Sequence, residues 1–522
     1  MRLDSLLQSV LSGVVLLATA LAVQAQPLGL ERGRSFLTRT GFAPTPAEVA
    51  RFAPLTQAQA VELVLRETAT TATTPAPGWI DERMLPPREL RALSEAERME
   101  EQRRAVRNGL ELRGWWLREM VATRSPLTER MTLFWHNHFV AAQPKVRYAQ
   151  LMYRQNVLLR EHALGNFGTL LHLVARDPAM LIYLDGVQNR RGQPNENFAR
   201  EVMELFTLGP GNYSESDIKE AARAFTGWSL DPDGYVFMRR PLIHDAGDKT
   251  VLGRTGRLDG DDVLDQLLAQ PAAARFVVTK LWREFVSPAP DPARLEPIAR
   301  AFGKSNYDIK TALRLLLNQP ELVAPQPAEY LVKSPVELLV GVVRQSGGQL
   351  AQPVGAAVVV AQMGQNLFSA PSVRGWPGGE AWINTQTLLV RRQFASRALA
   401  PAPAMAAERP ALDPAVMALP EPLPARSPMA NEKTAALITP LAKGEAARRR
   451  LALAQEQAVR IDAGAWLKSA ATLAPERPAT AEDVQRLANS LGAVPPVALP
   501  AAGTLSLDAL RSLLLDPSYQ LK

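Results

Sequence analysis

Phe134-Trp135-His136-Asn137-His138-Phe139 sets two imidazoles two residues apart in an aromatic setting. On a strand, residues i and i+2 share a face, and both rings could hold one zinc-like divalent ion; on a helix they point about 200° apart. Thus both serve one metal only if the helix that opens at Ser125-Pro126 has ended before them. The second reading gives one ligand and one buried histidine bonded to a backbone carbonyl. His244-Asp245, in a glycine-containing loop, suits a metal or an oriented general base, and equally a plain turn.

Between these pairs runs Asn195-Glu196-Asn197-Phe198-Ala199-Arg200-Glu201-Val202-Met203-Glu204-Leu205-Phe206-Thr207-Leu208-Gly209. Asn195 reads as an N-cap and Gly209 as a stop. The helix between them buries Phe198, Val202 and Leu205 with Ala199, Met203 and Phe206, and leaves Asn197, Arg200, Glu201 and Glu204 on the remaining face. Two carboxylates one helical step apart can ligate metal or act as acid and base. Arg200 would stabilise an anion, or pair with Glu204 at i,i+4 on a solvated face. Trp376 and Trp382 flank a Pro-Gly-Gly turn and could stack on a sugar or peptide, or simply pack the turn; Asn195, Asn197, Trp376 and Trp382 are the candidate substrate contacts. All five histidines fall between His136 and His244, which favours a site over scattered core histidines.

The elements that must position these groups are helical. Thr45-Pro46-Ala47-Glu48 has the form of a capping box, residues 57–67 read as an amphipathic helix, and residues 88–121 as a long charged one. Strand candidates are short, Tyr235-Val236-Phe237-Met238 and Val358-Val359-Val360. Leu-Leu-x-x-Pro recurs before Pro271, Pro320 and Pro517, and each occurrence reads as an apolar helix face stopped by proline. The expected fold is mainly α, one large multi-helix unit with at most a small β-hairpin. Residues 26–398 form its main domain, with the site region at 130–250. A Pro/Ala-rich mobile insertion at 399–433 interrupts it, and helices in 434–522 pack back on it, because their apolar faces need cover.

Composition narrows the function classes. The chain has 522 residues, of which 47% are hydrophobic and 21% charged, and carries a net charge of +7. That is a globular balance. With no cysteine there is no disulfide, iron–sulfur cluster, thiol nucleophile or lipoprotein anchor. Arg2, the apolar run Val10 to Val23 and the small residues around Ala25 read as a signal peptide over residues 1–25. Export makes nucleic acid the least fitting partner for a basic chain, and no later run is long enough to span a membrane.

Several of these stretches recur together. The aromatic His-x-His element, Asp177-Pro178-Ala179-Met180-Leu181, Tyr183-Leu184-Asp185, the 195–209 stretch, Ala222-Arg223-Ala224-Phe225-Thr226-Gly227-Trp228 and Gly375-Trp376-Pro377-Gly378-Gly379 come in one order. In this the chain resembles the bacterial family known as domain of unknown function 1800, from about Phe36 to the final Leu-Leu-x-x-Pro segment. Ser372 stands where the family pattern has asparagine, which weakens a ligand role there. The resemblance implies exported proteins without a settled activity, often encoded beside a sulfatase-like exported protein.

Two functions follow as expectations. One is a metal-dependent or acid–base hydrolase of an extracytoplasmic polymer such as a polysaccharide, periplasmic or secreted. In it His136, His138, His244 and Asp245 hold one divalent transition metal, and Glu201, Glu204 and Arg200 carry the chemistry. The other is a non-catalytic binding or assembly protein in which the Asn-Glu-Asn helix is a buried polar network and the Trp376–Trp382 turn meets a partner, for example the sulfatase-like protein.

Overall fold

Capping chemistry marks where the helices start. Thr45 accepts the Glu48 amide and Glu48 returns a bond to the Thr45 amide, with Pro46 in the first turn of the helix Pro46–Phe52. Thr56 caps Gln57–Arg66 through the same box with Gln59, and Ser94 does so with Glu97 for Glu95–Ala122. That last cap divides the charged segment expected as one helix, leaving Pro87–Ala92 as a separate short one. The computed structural model describes residues 26–400, 453–455, 457–471, 480–501 and 505–522. The expected leader at 1–25 and all but the first two residues of the expected insertion lie outside the described residues, as does the start of the 434–522 segment.

The described chain is mainly α-helical, with two small antiparallel hairpins. In the first, β1 (Trp228–Leu230) pairs with β2 (Phe237–Arg239), and in the second β3 (Lys249–Val251) pairs with β4 (Arg254–Gly256). Val358-Val359-Val360 is not a strand but part of the helix Pro353–Gln362. It is buried, and a short apolar run fits a buried helix as well as a buried strand. This helix packs along Glu95–Ala122, where a Cβ on Gly114 would lie 3.0 Å from Pro353. The three Leu-Leu-x-x-Pro segments end the helices Gly260–Leu268, Ile309–Leu317 and Leu507–Leu515, and in each case the proline opens the next helical turn.

The core is one continuous apolar cluster reaching from Leu28 to Tyr519. At its centre lies the helix Pro126–His138, buried along nearly its whole length. Its polar residues are paired inside: Glu129 takes Arg160 (2.5 and 3.0 Å) and the Trp116 indole N–H (2.8 Å). Arg130 meets Glu284 at 2.6 Å and also Glu337. The described C-terminal residues bind the rest of the chain closely. Lys522 exchanges backbone hydrogen bonds with Leu331 (2.8 and 2.9 Å), its ammonium meets Glu337, and the Gln345 side chain donates to the Leu491 carbonyl at 2.9 Å.

Candidate functional site

The helix Pro126–His138 runs through both histidines, so their side chains diverge. His136 turns toward the glycine-rich loop, where its Nε2 accepts the Phe368 amide at 3.1 Å among the rings of Trp116, Phe368 and Trp376. Burial, aided by the Arg113 charge, depresses its pKa to about 3. His138 turns the other way. Its Nε2 lies 3.0 Å from the Phe206 carbonyl and its Nδ1 lies 3.0 Å from Lys280 Nζ. A carbonyl only accepts, so Nε2 carries the proton and Nδ1 accepts from the ammonium. The two imidazoles therefore do not share a metal.

His244 and Asp245 are likewise committed. His244 Nδ1 donates to the Thr226 carbonyl at 2.8 Å. Asp245 takes a bidentate pair of bonds from Arg223 at 2.8 and 3.2 Å, and this partner holds its carboxyl at about 2. His172 sits between Asp261 (3.1 Å) and Asp265 (3.0 Å). The crowding of histidines in sequence thus breaks up into separate structural roles. Among the described residues no three His, Asp or Glu side chains converge to hold a metal ion.

The asparagines of Asn-Glu-Asn fix the helix entry rather than face a ligand. Asn195 Oδ1 accepts the Asn197 amide at 2.9 Å, and Asn195 Nδ2 donates to the Asp185 carbonyl at 3.1 Å. Asn197 Nδ2 donates to the Leu184 carbonyl at 3.2 Å. Arg200 points away from Glu204 and forms ion pairs with Glu215 (2.7 and 2.8 Å) and Glu196 (3.2 Å) at the surface. Trp376 and Trp382 are 5% and 7% exposed, too buried for a sugar to stack on either indole.

The expected single α-helix changes character halfway. Glu196–Glu201 is α-helical, and Val202–Thr207 widens into a π-helix. Leu208 N–H reaches back to the Met203 carbonyl at 2.8 Å, and Thr207 Oγ1 to Val202 at 2.7 Å. Lys280 Nζ takes the Leu205 carbonyl at 3.0 Å while His138 takes that of Phe206. Gly209, at φ +77°, ends the segment. Such widened turns are concentrated at functional sites.

This helix presents Glu201 and Glu204 together, and their surroundings differ. Glu204 accepts the Tyr213 hydroxyl at 2.8 Å and the Arg374 guanidinium at 2.9 Å. Glu201 is half-buried and has no hydrogen-bond partner among the described residues. Burial first, and then the Glu204 charge, raise its pKa above the ordinary glutamate value, while Arg374 and Arg200 act against the rise. Burial and the nearby Glu201 push the Tyr183 hydroxyl up to about 12. Tyr213 is also at about 12, from burial and its bond to Glu204. The result is one carboxyl whose pKa is raised beside another that is anchored by two donors.

Arg374 is carried by the glycine-rich loop, and the middle residue of His-Asn-His holds that loop in place. Asn137 Oδ1 accepts the Trp376 amide at 2.7 Å, and Asn137 Nδ2 donates to the Trp376 carbonyl at 3.2 Å. Gly375 has φ +78°, and a Cβ there would lie 2.2 Å from Asn137 Oδ1, so glycine is required. Sequence reasoning passed over Asn137 as a bonding group, along with Arg374, Tyr213 and Lys280. Arg374 immediately precedes the Gly375–Gly379 motif and could have been found there, whereas Lys280 sits in an ordinary amphipathic helix that gives no signal. Two surface clefts, of about 270 Å³ beside Tyr153 and His162 and about 450 Å³ beside Leu55 and Arg66, lie apart from this pair.

Residues 35–521 match the family described as "Protein of unknown function (DUF1800)". The chain belongs to that family. No curated protein and no solved structure matched it. Within this DUF1800 chain the 195–209 stretch is joined by the Glu204–Arg374 bond to the loop that leads into the 375–379 motif.

Proposed function

We propose that the chain is an exported acid–base hydrolase of an extracytoplasmic polymer such as a polysaccharide, working without a metal of the kind first expected. One observation carries the reading: Glu201 is half-buried, without a hydrogen-bond partner among the described residues and raised in proton affinity next to Glu204, whose two oxygens are held by Tyr213 and Arg374. Pairs of carboxyls in contrasting surroundings divide the roles of acid and base. Glu201 donates its proton to the bridging oxygen as the bond to it breaks. Glu204 takes the proton of the attacking water, and proton exchange with solvent restores the pair. The N-terminal pattern up to Ala25 supports export.

The test is release of reducing ends from a panel of cell-wall and extracellular polysaccharides. Glu201→Gln keeps the shape and removes the acid, and it should lower turnover by about 10²–10⁴-fold. Turnover unchanged in Glu201→Gln removes the assignment. The rigid clamp of Asn137 on the Trp376 loop favours a second reading, a binding or assembly surface for an exported partner such as the sulfatase-like protein. Polymer or partner binding with no cleavage would move the conclusion there.

A further inference from the structure

We propose that Arg374 is a two-position anion latch: it rests on Glu204 in the free protein and moves to a carboxylate or sulfate group of the incoming substrate, so that the site selects anionic polymers. The inference rests on the reading of Glu201 as proton donor and adds the substrate class. The Arg374 side chain is 71% exposed, whereas that of Glu204 is 18% exposed. The ion pair therefore has a fixed, partly buried end and a free, solvent-facing end. Among the described residues Arg374 forms one ion pair, at 2.9 Å, so there a competing oxyanion has a single bond to displace. Its backbone is positioned independently of that bond: its amide donates to Ser372 Oγ at 3.2 Å and the next residues are clamped by Asn137. The guanidinium can swing while its Cα stays in place. A planar fork of donors matches carboxylate and sulfate oxygens. The net charge of +7 favours the approach of such polymers.

The move has a chemical consequence. Glu201 is faced by Glu204 and Arg200 from its own helix, by Tyr183 and Tyr213 from neighbouring segments, and by Arg374 from the loop. Only the two arginines are cationic, and Arg200 is tied to Glu215 and Glu196. When Arg374 leaves, Glu201 and Glu204 face each other with less compensating charge, and the proton on Glu201 is held more firmly. An anionic substrate would thus load the acid that cleaves it.

The test uses the full chain and sulfate alone. Carboxyl carbons of glutamate are labelled with carbon-13 and the Glu201 signal is followed through a pH titration, with chloride at matched ionic strength as reference. Sulfate should raise the apparent Glu201 pKa by about half a unit or more. Arg374→Gln should start from the raised value and show no further response to sulfate. Arg374→Lys, which keeps the charge, should retain part of the response. A Glu201 titration that ignores sulfate, or that responds equally in Arg374→Gln, overturns the latch. Neither outcome depends on turnover, so failure of the latch is distinguishable from failure of the hydrolase, which Glu201→Gln decides.

Discussion

His138 and Lys280 meet at 3.0 Å over the end of the π-helix that carries Glu204, and between them they take the carbonyls of Leu205 and Phe206. A widened helix leaves carbonyls without partners in its last turn, and burial makes such orphans costly. The two side chains supply the missing donors. Replacing either leaves a buried carbonyl unbonded. His138→Ala and Lys280→Met should each lower stability by about 1–3 kcal/mol per lost partner. Hydrogen exchange should rise first in the peptide spanning 202–209, a local readout that a general loss of packing would not single out.

The same pair predicts a pH dependence at the alkaline end. Burial, with the Arg283 charge, lowers Lys280 to about 8 from its ordinary 10.5. Between these values the unfolded chain binds the proton and the folded chain has lost it, so this group makes stability rise with pH across about 8 to 10.5. Below about 8 both states are protonated and the burial penalty is constant. Urea midpoints taken from pH 7.5 to 10 should show the rise in the wild type and a smaller one in Lys280→Met.

At the acid end His136 and His138 act with the same sign. His136 is held at about 3, and burial, with the Lys280 charge, lowers His138 well below 6.5. Stability from both is complete above about 6.5, falls as pH drops below it, and for His136 is fully lost only below about 3. His136→Gln keeps an acceptor for the Phe368 amide and removes the titration. Its urea midpoint should depend less on pH between 6 and 4 than that of the wild type.

These roles show which parts of the site could be seen in sequence. The cap at Asn195, the stop at Gly209 and the capping box at Thr45 rest on local chemistry, and the structure has each of them. The pairing of Glu201 with Glu204 also follows from spacing alone. The direction of His136 against His138 depended on where one helix ended, which tertiary burial decided. Arg200 chose Glu215, a partner fifteen residues away, over Glu204 at i,i+4, because the π-helix turns Glu204 toward Tyr213 and Arg374. Trp376 and Trp382 read as a possible stacking surface, but core packing claimed both indoles. Lys280 reaches the Leu205 carbonyl from a helix some seventy residues further along the chain, and no local pattern marks that.

The loop that carries Arg374 should be the most sensitive point for small changes. Asn137→Ala removes both bonds to Trp376 and should cost about 1–3 kcal/mol. Gly375→Ala adds a Cβ against Asn137 at a positive φ, and should destabilise by more than the roughly 1 kcal/mol that an unstrained Gly→Ala change contributes, since both the contact and the backbone are unfavourable. In either variant the 371–379 peptide should exchange faster. Arg200→Ala, by contrast, breaks only surface ion pairs and should shift stability by about 1 kcal/mol or less.

Glu337 gives the largest expected effect. It lies buried between Arg130 and the Lys522 ammonium, with Ser334 donating its amide at 2.8 Å. Burial alone would raise its carboxyl, yet Arg130 and Lys522 hold it at about 2. Removing that charge leaves the buried Lys522 ammonium without the ion pair it makes here and Arg130 with Glu284. Glu337→Gln should therefore destabilise by about 3–5 kcal/mol, the range for breaking one side of a buried pair. Removing a cation as well should restore part of the loss, because the cost lies in the uncompensated charge and not in the missing contact. The double variant Glu337→Gln with Lys522→Met should accordingly be more stable than Glu337→Gln alone. If urea unfolding ranks the double variant as the less stable of the two, burial of an unpaired ammonium is not what Glu337 prevents.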